Sequence, residues 1–230
     1  MSSHNPHSES PFNALPPVVV FLALAIAGVE IGLQLGQRGL LGGPEAVGWR
    51  LGLIQRFSVV PDLFRAMWAQ GIWPPEHLLR LVAYPFVHAS FGHAIFVIVF
   101  ILALGKMVAE VFAAWAVLVV YFGASAVAGL VYSFVVPSEM PLFGGYPGAY
   151  GLIGAFTFLL WTRLAASGGP QGRAFSLIGF LMGIQLLFGL LFGGGLDWVA
   201  DLAGFATGFL LSFVVSPGGW ARVSERLRRR

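Results

Sequence analysis

The 230-residue sequence contains no cysteine, so it can form neither a disulfide nor a thiolate metal site. It is also poor in charge, because 10% of its residues are Asp, Glu, Lys or Arg, whereas 57% are hydrophobic. A mean hydropathy of +0.83 is too high for a soluble domain of this length. These properties together predict an integral membrane protein.

Long stretches of the chain carry a single formal charge. Residues 111–162 contain only Glu139, and residues 16–37 contain only Glu30. Both stretches exceed the roughly 20 residues that a membrane-spanning helix needs. The sequence therefore predicts an all-α membrane domain over residues 16–216. Its six apolar spans are residues 17–36, 91–108, 112–135, 148–164, 175–192 and 198–215.

Six spans place both termini on one side of the membrane, and the basic residues indicate which side. The loops between spans three and four and between spans five and six contain no Lys or Arg. The opposite side carries Lys106, Arg163, Arg173, Arg222, Arg226, Arg228, Arg229 and Arg230. The positive-inside rule then predicts cytoplasmic termini, and a bacterial inner membrane is the location that we expect.

Both ends of the chain are polar. Residues 1–15 have no positive segment ahead of the first apolar run, which argues against a cleaved signal peptide and predicts a disordered cytoplasmic tail. Residues 217–230 form a basic cytoplasmic tail that can attract anionic lipid headgroups. The net charge of +3 comes largely from this tail, so the sequence does not predict nucleic-acid binding.

The segment between spans one and two, residues 38–80, is called the first loop. It is an exception to the positive-inside rule, because it is predicted to lie outside and yet contains five arginines. It mixes aromatic and aliphatic side chains with prolines and charges, which predicts short amphipathic helices in the membrane interface, aromatic side inward. An ordinary extramembrane loop is the alternative, but it would expose many aromatic side chains to water. The arginines of the first loop are Arg38, Arg50, Arg56, Arg65 and Arg80.

Five polar side chains fall where the bilayer makes polarity costly, by about 2.5–3.5 kcal/mol for Asp, Lys or Arg at a helix centre. They are Glu30, His88, His93, Gln185 and Asp201. On one continuous helix, His88 and His93 would lie about 140° apart, too divergent to bind one metal. We therefore expect no metal and no cofactor. Asp201 should be protonated or paired, and the simplest alternative is a hydrogen bond to a neighbouring loop.

Glycine patterns predict close helix packing at two places. Residues 144–147 suggest a loop that leads into the start of span four, where Pro147 can begin a helix because its missing N–H needs no partner there. This stretch is either a site built into a membrane helix or a plain turn before a packing face. The small residues that allow close approach are Gly151 and Gly154 in span four and the GxxxG pair Gly204 and Gly208 in span six.

These features resemble the rhomboid family of six-helix intramembrane serine proteases, over about residues 79–211 together with the first loop. Rhomboids carry a Trp-Arg pair before an entrance His, His-x-x-x-Asn in span two, Gly-x-Ser-Gly at the start of span four, and a His before GxxxG in span six. Arg80 matches the Arg of the pair, with Leu79 in place of the Trp. His88 and His93 match the two histidines, and residues 150–156 match the helix after the nucleophile.

The positions that carry the chemistry of the family are altered. Asp201 stands where the family has its catalytic His, and Val97 stands where it has the Asn. The nucleophilic Ser falls on Tyr146 without gaps, or on Tyr150 after a local shift. We favour Tyr146, because the family often has an aromatic residue four positions after the Ser, where Tyr150 then lies. Aspartate is a weak base toward an alcohol, and a phenol is a poor acyl-enzyme nucleophile because its ester is itself activated.

The resemblance therefore implies a rhomboid-like pseudoprotease that binds transmembrane segments of other membrane proteins for stabilisation, assembly or quality control. Its partners would be the lipid bilayer and other transmembrane proteins. Tyr146 or Tyr150 would bond to Asp201 near His93. Three alternatives are an active rhomboid-type protease with non-standard residues, a fixed accessory subunit, and a proton or metal pathway through His93, Asp201 and Glu30. The residues implied for binding are Arg80, His88, His93, Tyr146, Tyr150 and Asp201.

Overall fold

The computed structural model describes residues 14–137, 140–193 and 195–219. In these ranges the chain is helical, and a single isolated antiparallel bridge joins Val59 to Leu142. Its α-helices, in order, are α1 (Pro17–Gln37), α2 (Trp49–Phe57), α3 (Pro61–Gln70), α4 (Pro75–Leu78), α5 (Arg80–Ala83), α6 (Phe91–Ala109), α7 (Ala114–Val135), α8 (Tyr146–Ala166), α9 (Ser176–Phe192) and α10 (Asp197–Val215). Short 3-10 helices cover Pro44–Gly48, Tyr84–Phe86 and Gln171–Phe175.

Six helices in the described ranges are long and apolar enough to cross a bilayer: α1 and α6 to α10. The predicted all-α, six-span architecture is thus confirmed. Most of the ends of the spans lie within about two residues of the sequence expectation. The predicted disordered tail of residues 1–15 and most of the predicted basic tail of residues 217–230 lie outside the described residues.

One boundary differs from the prediction by two residues in a way that affects the site. Span four begins at Tyr146 rather than at Gly148, and Pro147 occupies the first turn of the helix. A proline is tolerated there because its missing N–H would have no partner within the helix. Tyr146 is therefore a helical residue with a fixed direction, and the loop before it is shorter than expected.

Helix α8 lies at the centre of the bundle and packs against α10 through glycines. A Cβ atom built on Gly204 would lie 2.2 Å from the carbonyl oxygen of Pro147, and one on Gly208 would lie 2.0 Å from the carbonyl oxygen of Gly151. No side chain fits at such distances, so the two backbones are in direct contact. Small residues are the usual means by which membrane helices approach this closely.

The first loop is fastened to the bundle by its arginines. The guanidinium of Arg65 donates to the carbonyl oxygens of Ser133 and Val136, at 2.8 and 3.2 Å, where α7 ends. A cation is favourable at the negative end of a helix dipole, and these bonds satisfy carbonyls that the helix leaves unpaired.

Arg80 joins two parts of the first loop by hydrogen bonds. Its guanidinium donates to the carbonyl oxygens of Gln55 and Ser58, at 3.1 and 2.8 Å. Arg65 and Arg80 are therefore both held by backbone carbonyl oxygens of the protein itself.

The aromatic side chains of the first loop do not all face inward, which corrects one expectation. Phe64 is fully buried against the bundle, but Trp68 is 68% exposed, and Trp49 and Trp73 are also exposed. Trp68 lies near the end of α3 and makes an edge contact with Phe134 of the bundle, at 5.7 Å between ring centroids. The first loop is thus aromatic on its outer surface as well as on its inner surface.

Helix α9 is the least buried of the spans. Within its apolar window 17% of the residues are buried, compared with 50% for α8. Its first half packs on α8 and α10 through Ile178, with Leu181 and Met182 beside it. Further along α9, the apolar side chains of Ile184, Leu186, Leu187, Leu190 and Leu191 are exposed.

Candidate functional site

A cavity of about 300 Å³ opens at the end of the bundle where α6, α8 and α10 begin, which we call the cavity end. The residues that line it are His93, Leu142, Phe143, Tyr146, Pro147, Gln185, Asp197 and Asp201. The lining is unusually polar for a site among membrane helices, where each polar group needs a partner. Four polar residues singled out from the sequence meet here: His93, Tyr146, Gln185 and Asp201.

His93 and Tyr146 form one wall of the cavity. Ser90 caps α6 by accepting a hydrogen bond from the His93 N–H at 3.2 Å, and this cap places His93 in the first turn. The imidazole stacks on the ring of Tyr146, with 5.1 Å between centroids and 21° between planes. The backbone passes beneath His93 at Gly144, which has a φ of +99° and whose added Cβ would lie 2.7 Å from the imidazole.

His88 supports this wall from behind. Its ring meets His93 edge to face at 5.0 Å, and its Nε2 accepts a hydrogen bond from the Gly145 N–H at 3.2 Å. Burial lowers the pKa of His88 to about 4, and the nearby His93 imidazole lowers it as well. A neutral His88 can keep accepting the Gly145 bond at neutral pH.

The spacing argument that separated the two histidines was wrong. His88 precedes α6, so the two residues do not share a continuous helix and their rings touch. Within the described ranges, no group of three or more His, Cys, Asp or Glu side chains could hold a metal ion.

Gln185 joins α8 and α10 through hydrogen bonds to both helices. The Tyr150 hydroxyl donates to Gln185 Oε1 at 3.3 Å, and Gln185 Nε2 donates to Asp201 Oδ2 at 2.9 Å. The direct tyrosine–Asp201 bond that we expected is therefore replaced by a bridge through an amide. Asp201 is 4% exposed, so it is a buried carboxyl with an amide partner. The sequence marked Gln185 as a costly polar residue but did not identify its partners.

Val97 lies next to the start of α8 but is not one of the residues that line the cavity. Its side chain is fully buried, and a Cβ added to Gly145 would lie 2.7 Å from Val97 Cγ1. The valine thus packs against the backbone just before Tyr146. A methyl group at this place cannot donate a hydrogen bond to an oxyanion.

Glu30 lies outside the cavity and has an arginine partner that the sequence analysis missed. Arg50 of the first loop makes two bonds to the Glu30 carboxylate, at 2.7 and 2.9 Å, and donates to the His88 carbonyl oxygen at 2.7 Å. Gln34 donates to the same carboxylate at 2.9 Å. Glu30 is thus used in a buried ion pair that holds the segment carrying His88, which weakens the proton-pathway alternative. Arg80 also lies outside the cavity, in the first loop.

Among the described residues that line the cavity, Tyr146 bears the one side-chain hydroxyl. The lining residues in the described structure include no serine, threonine or cysteine. His93 lies over the ring face of Tyr146, and the Asp201 carboxylate is bonded to Gln185. A general base must lie within hydrogen-bond reach of the hydroxyl that it deprotonates, and neither group is placed in that way toward Tyr146.

The fold and the cavity define an integral, multi-pass helical membrane protein with a polar site at one end of its bundle. A search with protein-family models matches the Rhomboid domain to residues 75–218. The match covers more than half of the chain, and the chain belongs to the rhomboid family. No curated protein matches the sequence.

Proposed function

We propose that this rhomboid-family protein is a pseudoprotease that holds transmembrane segments of other membrane proteins without cleaving them. One observation supports the proposal: Tyr146 and Asp201, which the resemblance assigns to the nucleophile and base positions of the family, both line the cavity. Such a site keeps a polar, membrane-embedded recess while lacking an activated aliphatic hydroxyl.

The residue after Tyr146 adds to the chemical argument. Pro147 has no N–H, so it cannot contribute a backbone donor to a developing oxyanion beside the nucleophile position. Val97 supplies no donor either. Stabilisation of a tetrahedral intermediate by preorganised donors is commonly the largest catalytic contribution, and two of its sources are missing here.

The role that follows is retention of membrane clients for stabilisation, assembly or quality control, with both termini of the protein in the cytoplasm. An active protease is the second candidate, because Tyr146 places a hydroxyl-bearing side chain in contact with His93 inside the cavity. A fixed accessory subunit is the third candidate. Stoichiometry distinguishes the two roles. In mild detergent, the partner of a fixed subunit should co-purify with this protein at one constant molar ratio, whereas clients should co-purify in smaller, substoichiometric amounts.

The first prediction tests cleavage. The purified protein in vesicles should not cleave a reporter transmembrane substrate and should not be labelled by a fluorophosphonate, because such probes report an activated hydroxyl. A rhomboid with an intact Ser–His pair serves as the positive control in the same vesicles. Cleavage that disappears in Tyr146→Phe, or specific labelling of any serine, would establish the protease alternative.

A further inference from the structure

Two pockets lie side by side where α1 ends and the first loop begins, and neither belongs to the cavity described above. The polar pocket has a volume of about 630 Å³, and its polar lining residues are Gln34, Gln37, Arg38, Arg50 and Ser90. The apolar pocket has a volume of about 250 Å³, and its apolar lining residues are Leu33, Ala46, Val47, Leu51 and Ile54. Gln37 and Arg50 line both pockets, so the two form one composite recess.

The polar pocket has the charge of an anion site. Arg38 and Arg50 line it, and none of its described lining residues is a carboxylate. Glu30 pairs with Arg50 from outside the pocket, so two arginines and one glutamate leave one net positive charge. An arginine has five N–H groups, and the bonds of Arg50 to Glu30 and His88 use three of them. Donors therefore remain for a ligand, and the planar guanidinium suits a phosphate.

The recess lies at the depth of the lipid headgroups. The 21 residues of α1 extend about 30 Å, which is the thickness of the hydrocarbon core. Arg38 directly follows this helix, and Ser90 directly precedes α6. Val47 and Leu51 of the apolar pocket are exposed, so this pocket is open to the surroundings of the bundle. An anionic group at this depth, with an apolar chain beside it, matches a phospholipid.

We infer that the recess binds one phospholipid, with the phosphate between Arg38 and Arg50 and an acyl chain in the apolar pocket. A free phosphate ester would leave the apolar pocket unused, and an uncharged lipid would leave the arginines without an anion. The site is separate from the proposed function and does not depend on it. Because Arg50 also donates to the His88 carbonyl oxygen, a lipid that binds only the folded protein should stabilise this region.

The experiment uses the full chain, freed of lipid in a neutral detergent, and native mass spectrometry to measure the affinity for one bound molecule. The probes are phosphatidylglycerol, glycerophosphoglycerol, which is the same headgroup without chains, and diacylglycerol, which has the chains without the phosphate. Phosphatidylglycerol should bind about ten-fold more tightly than either of the others, because it alone occupies both pockets.

Matched variants test each half of the recess. Arg38→Gln should weaken phosphatidylglycerol binding about five-fold, the scale of one arginine beside an anionic headgroup. Arg56→Gln removes the same charge from an exposed residue that lines neither pocket, and it should leave the affinity nearly unchanged. Leu51→Ser should weaken binding about three-fold through lost apolar contact. Leu40→Ser, at an exposed leucine that lines neither pocket, is its control.

Each contrary result would overturn the inference in a different way. Equal effects of Arg38→Gln and Arg56→Gln would show general charge attraction rather than a site. Equal affinity for glycerophosphoglycerol would show a site for free phosphate esters, and equal affinity for diacylglycerol would show an apolar groove without phosphate recognition. All four substituted residues are exposed, so each variant should keep the thermal unfolding of the wild type when no lipid is present. The test of cleavage is unaffected by any of these results.

Discussion

His88 is a buried, neutral imidazole whose role is to accept a bond from the backbone just before the cavity. Its pKa of about 4 in the folded protein lies below its ordinary value of 6.5, so the unfolded chain binds more protons between these values. The contribution of His88 to stability is therefore complete above about pH 6.5. It is lost progressively as the pH falls toward 4.

The second prediction follows from this difference in proton binding. His88→Gln keeps an acceptor for the Gly145 N–H but does not titrate, so its unfolding free energy should depend less on pH. Between pH 7 and pH 4, wild type should lose up to about 3 kcal/mol more than the variant, since one pKa unit corresponds to about 1.4 kcal/mol. Denaturant unfolding in micelles at several pH values measures this difference. Parallel pH profiles would show that His88 does not titrate with unfolding.

The third prediction concerns the ion pair beneath His88. The side chains of Glu30 and Arg50 are 4% and 17% exposed, so Arg50→Gln would leave a buried carboxylate without its cation. We expect this variant to lose about 3–5 kcal/mol of unfolding free energy. Adding Glu30→Gln should recover most of the lost unfolding free energy. The double variant has no buried charge, and its two glutamine side chains can hydrogen-bond to each other. Arg56→Gln, at an exposed arginine of α2, is the control and should be nearly neutral.

Sequence reasoning identified the costly polar residues but not their partners. Gln185, Glu30 and Asp201 stood out because hydropathy makes any polar group in a span conspicuous. The partners are distant in sequence, 20 residues for Glu30 and Arg50 and 35 for Tyr150 and Gln185, and no local periodicity connects them. The histidines illustrate the same limit, since their contact depends on where α6 begins.

At the scale of helices, the contact between α8 and α10 leaves no room for a methyl group. The fourth prediction is that Gly208→Ala destabilises the protein by about 2 kcal/mol or more, because its Cβ would lie 2.0 Å from the Gly151 carbonyl oxygen. Gly179→Ala in α9 is the matched control, since its Cβ would meet no atom within 4 Å. The control should be neutral or slightly stabilising, because alanine favours helix. Equal effects in thermal unfolding would show that the helices separate easily.

The helices themselves were largely predictable. Hydropathy and length place a span without knowledge of its neighbours, which is why all six spans were found. The start of α8 was missed by two residues because Gly144 and Gly145 favour irregular structure locally, whereas Tyr146 is already helical and packs on His93 of α6. The short helices of the first loop were expected as a group, but their ends were not.

For the whole molecule, the orientation in the membrane can be tested directly because the chain has no cysteine of its own. The fifth prediction is that Gln70→Cys, at the end of α3, reacts with an impermeant maleimide in intact cells, whereas Ser167→Cys, after α8, reacts only once the membrane is permeabilised. Both residues are exposed. The reverse pattern would place the termini outside the cytoplasm.

The main-chain contact between α8 and α10 has an evolutionary consequence. The contact begins within one turn of Tyr146 and Asp201, where Gly204 meets the Pro147 carbonyl oxygen, and continues further along both helices. It is made by the main chain, so it does not depend on which side chains occupy those two positions. A lineage can therefore exchange the reacting groups of such a scaffold and inherit the architecture unchanged. The loss of an enzyme's chemistry then becomes a neutral step, after which the same recess is free to be selected for another task.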